Sequence, residues 1–182
     1  MPKLQLCIVV ITVLFSLINL TDTARASSAL SGDIVTGVVP LAALAIAYFK
    51  DDVEGEKQWL RNTVVNQVLT SAARLGFNET SLGERPNGHS YGFPSGHVAF
   101  IASGASFLQE RYGWKYGVPA WMLTGYAAYV RVDNDKHHVR DVVASSILAY
   151  GVGKLFVTPK IATNLAPVIG PDFIGMRWGR SW

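Results

Sequence analysis

Charge is scarce in this 182-residue chain. Charged residues make up 16%, against roughly 25% in an ordinary soluble domain, while apolar residues reach 49%. That shortage leans towards a protein working against a membrane. There is no run of lysine and arginine, and the net charge is only +3, so nothing argues for nucleic acid as a partner. Cysteine is nearly absent as well. The one residue, Cys7, excludes an intrachain disulfide and a cysteine-ligated metal site. Internal repeats and low-complexity linkers are missing too, and the length suits one domain with a real core. The uncharged stretches Tyr116 to Val130 and Val142 to Gly153 fall short of the ~20 residues of a typical membrane span. Length therefore leaves open whether helices cross a bilayer or sit against one.

What is present begins with an apolar stretch from Leu4 to Leu20, preceded by Lys3. Ala24-Arg25-Ala26 has the small-x-small form of a cleavage site, and together these read as a secretory signal peptide spanning residues 1–26. An uncleaved anchor is the alternative. The remaining domain, 27–182, carries no cysteine.

Helices dominate the expected structure. Ile34 to Phe49 is uncharged and interrupted by Pro40. Lys57 to Phe77 has helical periodicity, with Leu60, Val64, Val68 and Ala72 at i+4 steps. Arg85-Pro86-Asn87-Gly88 marks a turn in the loop that follows. Ser95 to Tyr112 reads as a helix rich in small residues, suited to close contact with other helices. Val118 to Val130 and His137 to Val157 complete the set, and an irregular tail occupies 158–182, closing at Met176 to Trp182 with a short strand or a membrane-interface segment. The expected fold class is all-α: a membrane-associated bundle of about five to six helices with its core at 57–157.

Phe93-Pro94-Ser95-Gly96-His97 is the centre of this arrangement. A loop that turns into a helix here offers unpartnered backbone amides and a positive helix end to an anion. Gly96 admits a ligand close to the backbone, Ser95 adds a hydroxyl, and His97 adds a titratable ring. The plainer reading is Ser95 as an N-cap and His97 as a surface residue. Two further stretches join it: Arg85-Pro86, and Arg131 followed by His137 and Asp141. His137 and Asp141 stand at i and i+4, which on a helix is one face. Asp141 could then fix the ring's tautomer and leave the other nitrogen as nucleophile or base. Two arginines converging on one site suit a phosphate group. On the residues alone, either His97 or His137 could be the nucleophile.

These stretches resemble the type 2 phosphatidic acid phosphatase superfamily, which includes bacterial acid phosphatases and vanadium haloperoxidases. Its motifs are K-x6-R-P, P-S-G-H and S-R-x5-H-x3-D. The second is complete at Pro94 to His97. The third is matched by Arg131, His137 and Asp141 without its leading serine, since Val130 precedes the arginine. The first is matched by Arg85-Pro86, but its lysine position holds Asn78.

The resemblance implies His137 as nucleophile, Asp141 as its orienting acid and His97 as general acid and then base. Arg85, Ser95, Gly96 and Arg131 would bind the phosphate, and no metal or other cofactor is required. Arg74, one turn before Asn78, is the candidate replacement for the lysine's charge. The implied function is hydrolysis of a phosphate monoester or pyrophosphate, on a membrane lipid or a small phosphate ester. The site would face outside the cytoplasm, in the periplasm or membrane of a bacterial-type envelope. The rivals are a vanadate-dependent haloperoxidase and a catalytically weak phosphate- or lipid-binding envelope protein. His138, His89, Asp133 and Asp135 read as structural or solvated residues, and Lys136 is open between phosphate and water.

Overall fold

The structure is a computed structural model that describes residues 24–160, 163–169 and 174–180, with side chains from Ile34 to Lys160. The expected signal peptide lies outside them apart from Ala24, Arg25 and Ala26, which open the first helix. Five helices follow in order: α1 (Ala24–Phe49), α2 (Val53–Phe77), α3 (Gly96–Tyr112), α4 (Trp114–Asp133) and α5 (Val139–Phe156). Two strands, β1 (Thr163–Ile169) and β2 (Ile174–Arg180), complete the described chain.

Local chemistry sets the helix ends. Asp52 caps α2 by accepting from the Gly55 amide at 3.0 Å. Ser95 caps α3, and Gly113, at φ 83°, ends α3 and begins α4. The Asp141 carboxylate turns back to the His138 amide at 2.8 Å and closes the start of α5.

α3 is the centre of the bundle and packs against all four other helices. Its small residues permit this. A Cβ on Gly104 would stand 2.8 Å from the backbone of Pro40 in α1, and one on Gly153 of α5 would collide with Ser106. Around these contacts Val35, Val39, Ala43 and Ala47 of α1 meet Ile101, Ala105, Phe107 and Leu108 of α3. The expected small-residue helix is therefore present and central.

α2 packs opposite to its apolar pattern. Leu60, Val64 and Val68 are 56%, 51% and 61% exposed, while Asn62 and Asn66 are fully buried. The reason lies in α3, whose carbonyls accept from these amides: Asn62 Nδ2 bonds Ser103 O at 3.0 Å and Asn66 Nδ2 bonds Ala99 O at 2.7 Å. A side chain that satisfies a partner inside and leaves its apolar neighbours outside is the reverse of a water-soluble helix. Among the described residues no helix is long and apolar enough to cross a membrane.

Within the tail the closing segment is a strand, one of the two readings open for it, and it has a partner: β1 and β2 pair antiparallel from Thr163↔Arg180 to Ile169↔Ile174. Val168, Ile169, Ile174 and Trp178 favour strands, and Pro167 is tolerated because each strand of a two-stranded ribbon is an edge. The all-α description holds for the five-helix body and not for this ribbon.

Replacing Gly104 with Val should cost about 2–3 kcal/mol, because the α1–α3 backbones cannot separate without opening the core. Gly151→Ala, at a helical position with nothing within 4 Å of the added methyl, should instead gain up to about 1 kcal/mol. Unfolding followed by circular dichroism on both variants checks the contrast.

Candidate active site

Four helix ends and one loop meet at one end of the bundle. α3 and α5 contribute their N-termini, and α2 and α4 contribute last turns carrying Arg74 and Arg131. The loop between α2 and α3 carries Arg85 and Gly92. Ser95 joins the two N-termini: its amide donates to Asp141 O at 3.2 Å, and Ser145 Oγ lies 2.9 Å from Ser95 O and 2.8 Å from Asp141 O. Ser95 is fully buried, with Oγ accepting from the Val98 amide at a long 3.5 Å. Its hydroxyl proton stays available for an acceptor above the helix end. The Phe93–Pro94 peptide bond is cis.

His137 does not lie on a helix. α5 begins at Val139, with His138 as its N-cap, so His137 and Asp141 are not one turn apart on a common face. The ring is nonetheless held. Nδ1 lies 2.8 Å from the Gly92 carbonyl and 3.5 Å from Asp141 Oδ2. The carbonyl can only accept, so Nδ1 carries the proton and Nε2 keeps its lone pair. Asp141 serves chiefly as the helix-start acceptor for the His138 amide, with its charge beside the ring. Gly92 is the partner that the sequence did not disclose. A backbone carbonyl has no residue signature, and only the loop's path brings it to His137.

The electrostatics favour an anion. Burial, then the charges of Arg85, Arg131 and His97, push His137 down to about 4, against the Gly92 hydrogen bond that raises it. Burial also lowers Arg85 from its ordinary value, reinforced by Arg74 and Arg131 and opposed by Asp141. Burial pushes the Asp141 carboxyl above its usual range, while the His138 amide and charge and then Arg140 pull it back. Like charges that depress one another invite an anion with two negative charges. Arg85, Arg131 and His97 all act on His137, and Arg131 acts on Arg85 as well.

Asn78 is turned away from this cluster. Its Oδ1 accepts from the Tyr91 amide at 3.0 Å, and its Nδ2 donates to Glu79 at 2.8 Å. His89 and Lys136 are exposed, and His138 has the structural role expected of it. Among the described residues no group of three or more His, Cys, Asp or Glu is placed to hold a metal ion.

The helical bundle carries a basic, histidine-bearing cup at one end, an arrangement that suits an anion such as phosphate. The description "PAP2 superfamily" matches residues 66–160, and the chain belongs to that family. It is similar to the lipid A 4'-phosphatase of Helicobacter pylori strain J99, 36% identical over 107 residues, covering 57% of this chain and 51% of that protein. It is also similar to the lipid A 1-phosphatase of Helicobacter pylori strain 26695, 26% identical over 129 residues and 66% of each chain. The chain thus spans about half of the first relative's length and about two thirds of the second's. No solved structure matches it.

The His137 ring should titrate near 4 and show its proton on Nδ1, read from ring 15N shifts across a pH series. Arg85→Ala should raise that midpoint, because the repulsion that opposes protonation is removed.

Proposed function

We propose that this protein is a metal-independent phosphatase that removes a phosphate or pyrophosphate group from a membrane lipid through a phosphohistidine. The observation that carries the reading is the neutral His137 ring, pinned through Nδ1 to Gly92 beside Arg85 and Arg131. His137 Nε2 attacks phosphorus as the P–O bond to the leaving alcohol breaks. His97 gives that oxygen its proton. Water then attacks phosphorus, the P–N bond breaks, and His97 takes the water's proton. Arg85 and Arg131 bind the phosphate oxygens, with the Gly96 amide and Ser95 hydroxyl at the helix end. Asp141 sits beside Nδ1 and balances the positive charge of the phosphorylated ring. In this scheme the arginines supply the charge that a metal would otherwise bring.

Several features support a lipid substrate. The matched relatives are named lipid A phosphatases, so lipid A or another phosphorylated lipid is the substrate class of choice. The outward faces of the helices are apolar: Met122 is 71% exposed, Ile147 66% and Leu155 81%. Patches of this kind mark a surface that meets something other than water. The reading therefore includes a membrane-associated bundle in the cell envelope with its phosphate site outside the cytoplasm, behind the expected leader at residues 1–26.

Phosphate release from lipid A, phosphatidic acid, a polyprenyl diphosphate and soluble phosphate esters tests this directly. His137→Ala should lower kcat by ~10⁴ or more, since the nucleophile is gone. Orthovanadate should inhibit and EDTA should not. Halide oxidation by the vanadate-loaded protein would favour the haloperoxidase instead. A folded protein that binds vanadate without turning over any phosphate would favour the binding protein.

The acid limb of kcat/KM attributable to His137 should fall near pH 4 rather than near 6.5. Protonation removes the lone pair, so the rate drops as pH falls through the lowered value. A bound dianion raises the ring's proton affinity, so the corresponding limb of kcat should sit higher.

A further inference from the structure

We propose that Arg74 is the third phosphate-binding cation of this site and takes over the charge of the lysine that the family's first motif would place at Asn78. The proposal rests on the phosphatase reading above and names a residue that the motif does not contain.

The position of Arg74 carries it. A Cβ built on Gly96 would stand 3.2 Å from Arg74 Nη1, so the guanidinium lies directly against the residue that opens α3. Side chains larger than hydrogen at 96 would crowd it. The Arg74 guanidinium carbon lies 5.9 Å from the centre of the Tyr91 ring, which flanks it from the loop side. Its Nε is buried without a hydrogen-bond partner. A buried guanidinium donor without a partner is costly, and a phosphate oxygen is the acceptor its geometry suits. Its charge is also felt at Arg85, so the two guanidinium groups share one field.

Asn78 completes the case. Residues 74 and 78 are about one helical turn apart, so long side chains at either position start from neighbouring points at the end of α2. The amide at 78 is already committed to the Tyr91 N–H and to Glu79. It holds the loop that delivers the Gly92 carbonyl to His137, and it carries no charge. A cation is therefore missing at 78 and present at 74, within reach of the same cup. Arg61 of the same helix offers a contrast: it bonds Phe156 O at 3.1 Å, at the C-terminal end of α5, remote from the cup.

The test uses the full chain in detergent, with orthovanadate binding and phosphate release measured side by side. Arg74→Ala should weaken vanadate binding and lower kcat/KM, the latter by about 100-fold, the scale for losing one donor to the transition-state charge. Arg74→Lys should keep most of the binding. Added guanidinium ion should restore part of the activity of Arg74→Ala and none of that of His137→Ala. Arg74→Ala/Asn78→Lys should recover part of the loss, because the cation returns to the motif position. Arg61→Ala should match the parent in both measurements. Parental vanadate affinity in folded Arg74→Ala would overturn the proposal. So would equal losses in Arg74→Ala and Arg61→Ala without rescue by guanidinium. A parent protein that binds vanadate yet releases no phosphate overturns the phosphatase reading alone, and the vanadate affinities then decide Arg74. A parent that binds no vanadate overturns both.

Discussion

The close approach of α3 to its neighbours is the constraint on which the rest depends. Gly104 against Pro40 and Gly153 against Ser106 allow backbones to meet where larger residues would hold them apart. Once α3 is fixed in the middle, the ends of α2, α3, α4 and α5 converge. Two of those ends are N-termini, with positive partial charge and amides in need of acceptors. The other two are C-termini, whose negative ends favour the last-turn cations Arg74 and Arg131. The four helix ends largely offset one another, so the positive excess at this place comes from the side chains of Arg74, Arg85 and Arg131. The far end of the bundle is tied differently. Burial would raise the Asp52 carboxyl, but hydrogen bonds from Arg111, Tyr112 and the Gly55 amide hold it down to about 2. Arg111 reaches it at 2.6 and 2.8 Å, and the charge there is fully paired. One end is closed by compensation, and the other gathers guanidinium charges that an anion would suit.

The inverted packing of α2 belongs to the same logic. Asn62 and Asn66 bond backbone carbonyls of α3, so α2 is held by directed contacts rather than by apolar burial. Directed contacts fix register as well as distance. That register carries Arg74 to Gly96 and Asn78 to Tyr91. A helix docked through Leu60, Val64 and Val68 would present a different face to α3 and lose that register.

Motif spacing made the site's main groups legible, because Arg85, His97, Arg131, His137 and Asp141 are chemically distinctive and the positions between them are fixed. The helices were legible from their uncharged stretches and end signals, with Ser95 and Gly113 falling at real boundaries. What escaped was carried by the backbone. Gly92 contributes a carbonyl that any residue has, and His137 sits before α5 because His138 and Asp141 close that helix one residue later. The face of α2 was hidden for another reason. Periodicity reveals which residues share a side, but whether that side meets the core or the surroundings depends on the solvent. Of the C-terminal ribbon only the closing strand was open to a sequence reading; its partner at Thr163–Ile169 holds Pro167 and reads as loop until the two segments are seen to pair.

The state of His137 follows from the excess of charge around it. An isolated imidazole would be partly protonated near neutrality, and a protonated ring cannot attack phosphorus. Here burial and the neighbouring guanidinium charges oppose that proton, while the Gly92 carbonyl fixes the one that remains on Nδ1. The cluster that would bind the phosphate therefore also keeps the nucleophile neutral while the cup is empty. In the proposed mechanism, arrival of a dianion would cancel the repulsion at the moment when a positive charge on the ring becomes useful, as the N–P bond forms. Asp141, 3.5 Å from Nδ1, is already in place to meet that charge. Binding and activation are in this way two consequences of one arrangement of charge. Removing Arg85 or Arg131 should disturb both, by loosening the phosphate and by letting the empty site take up the proton it is built to refuse.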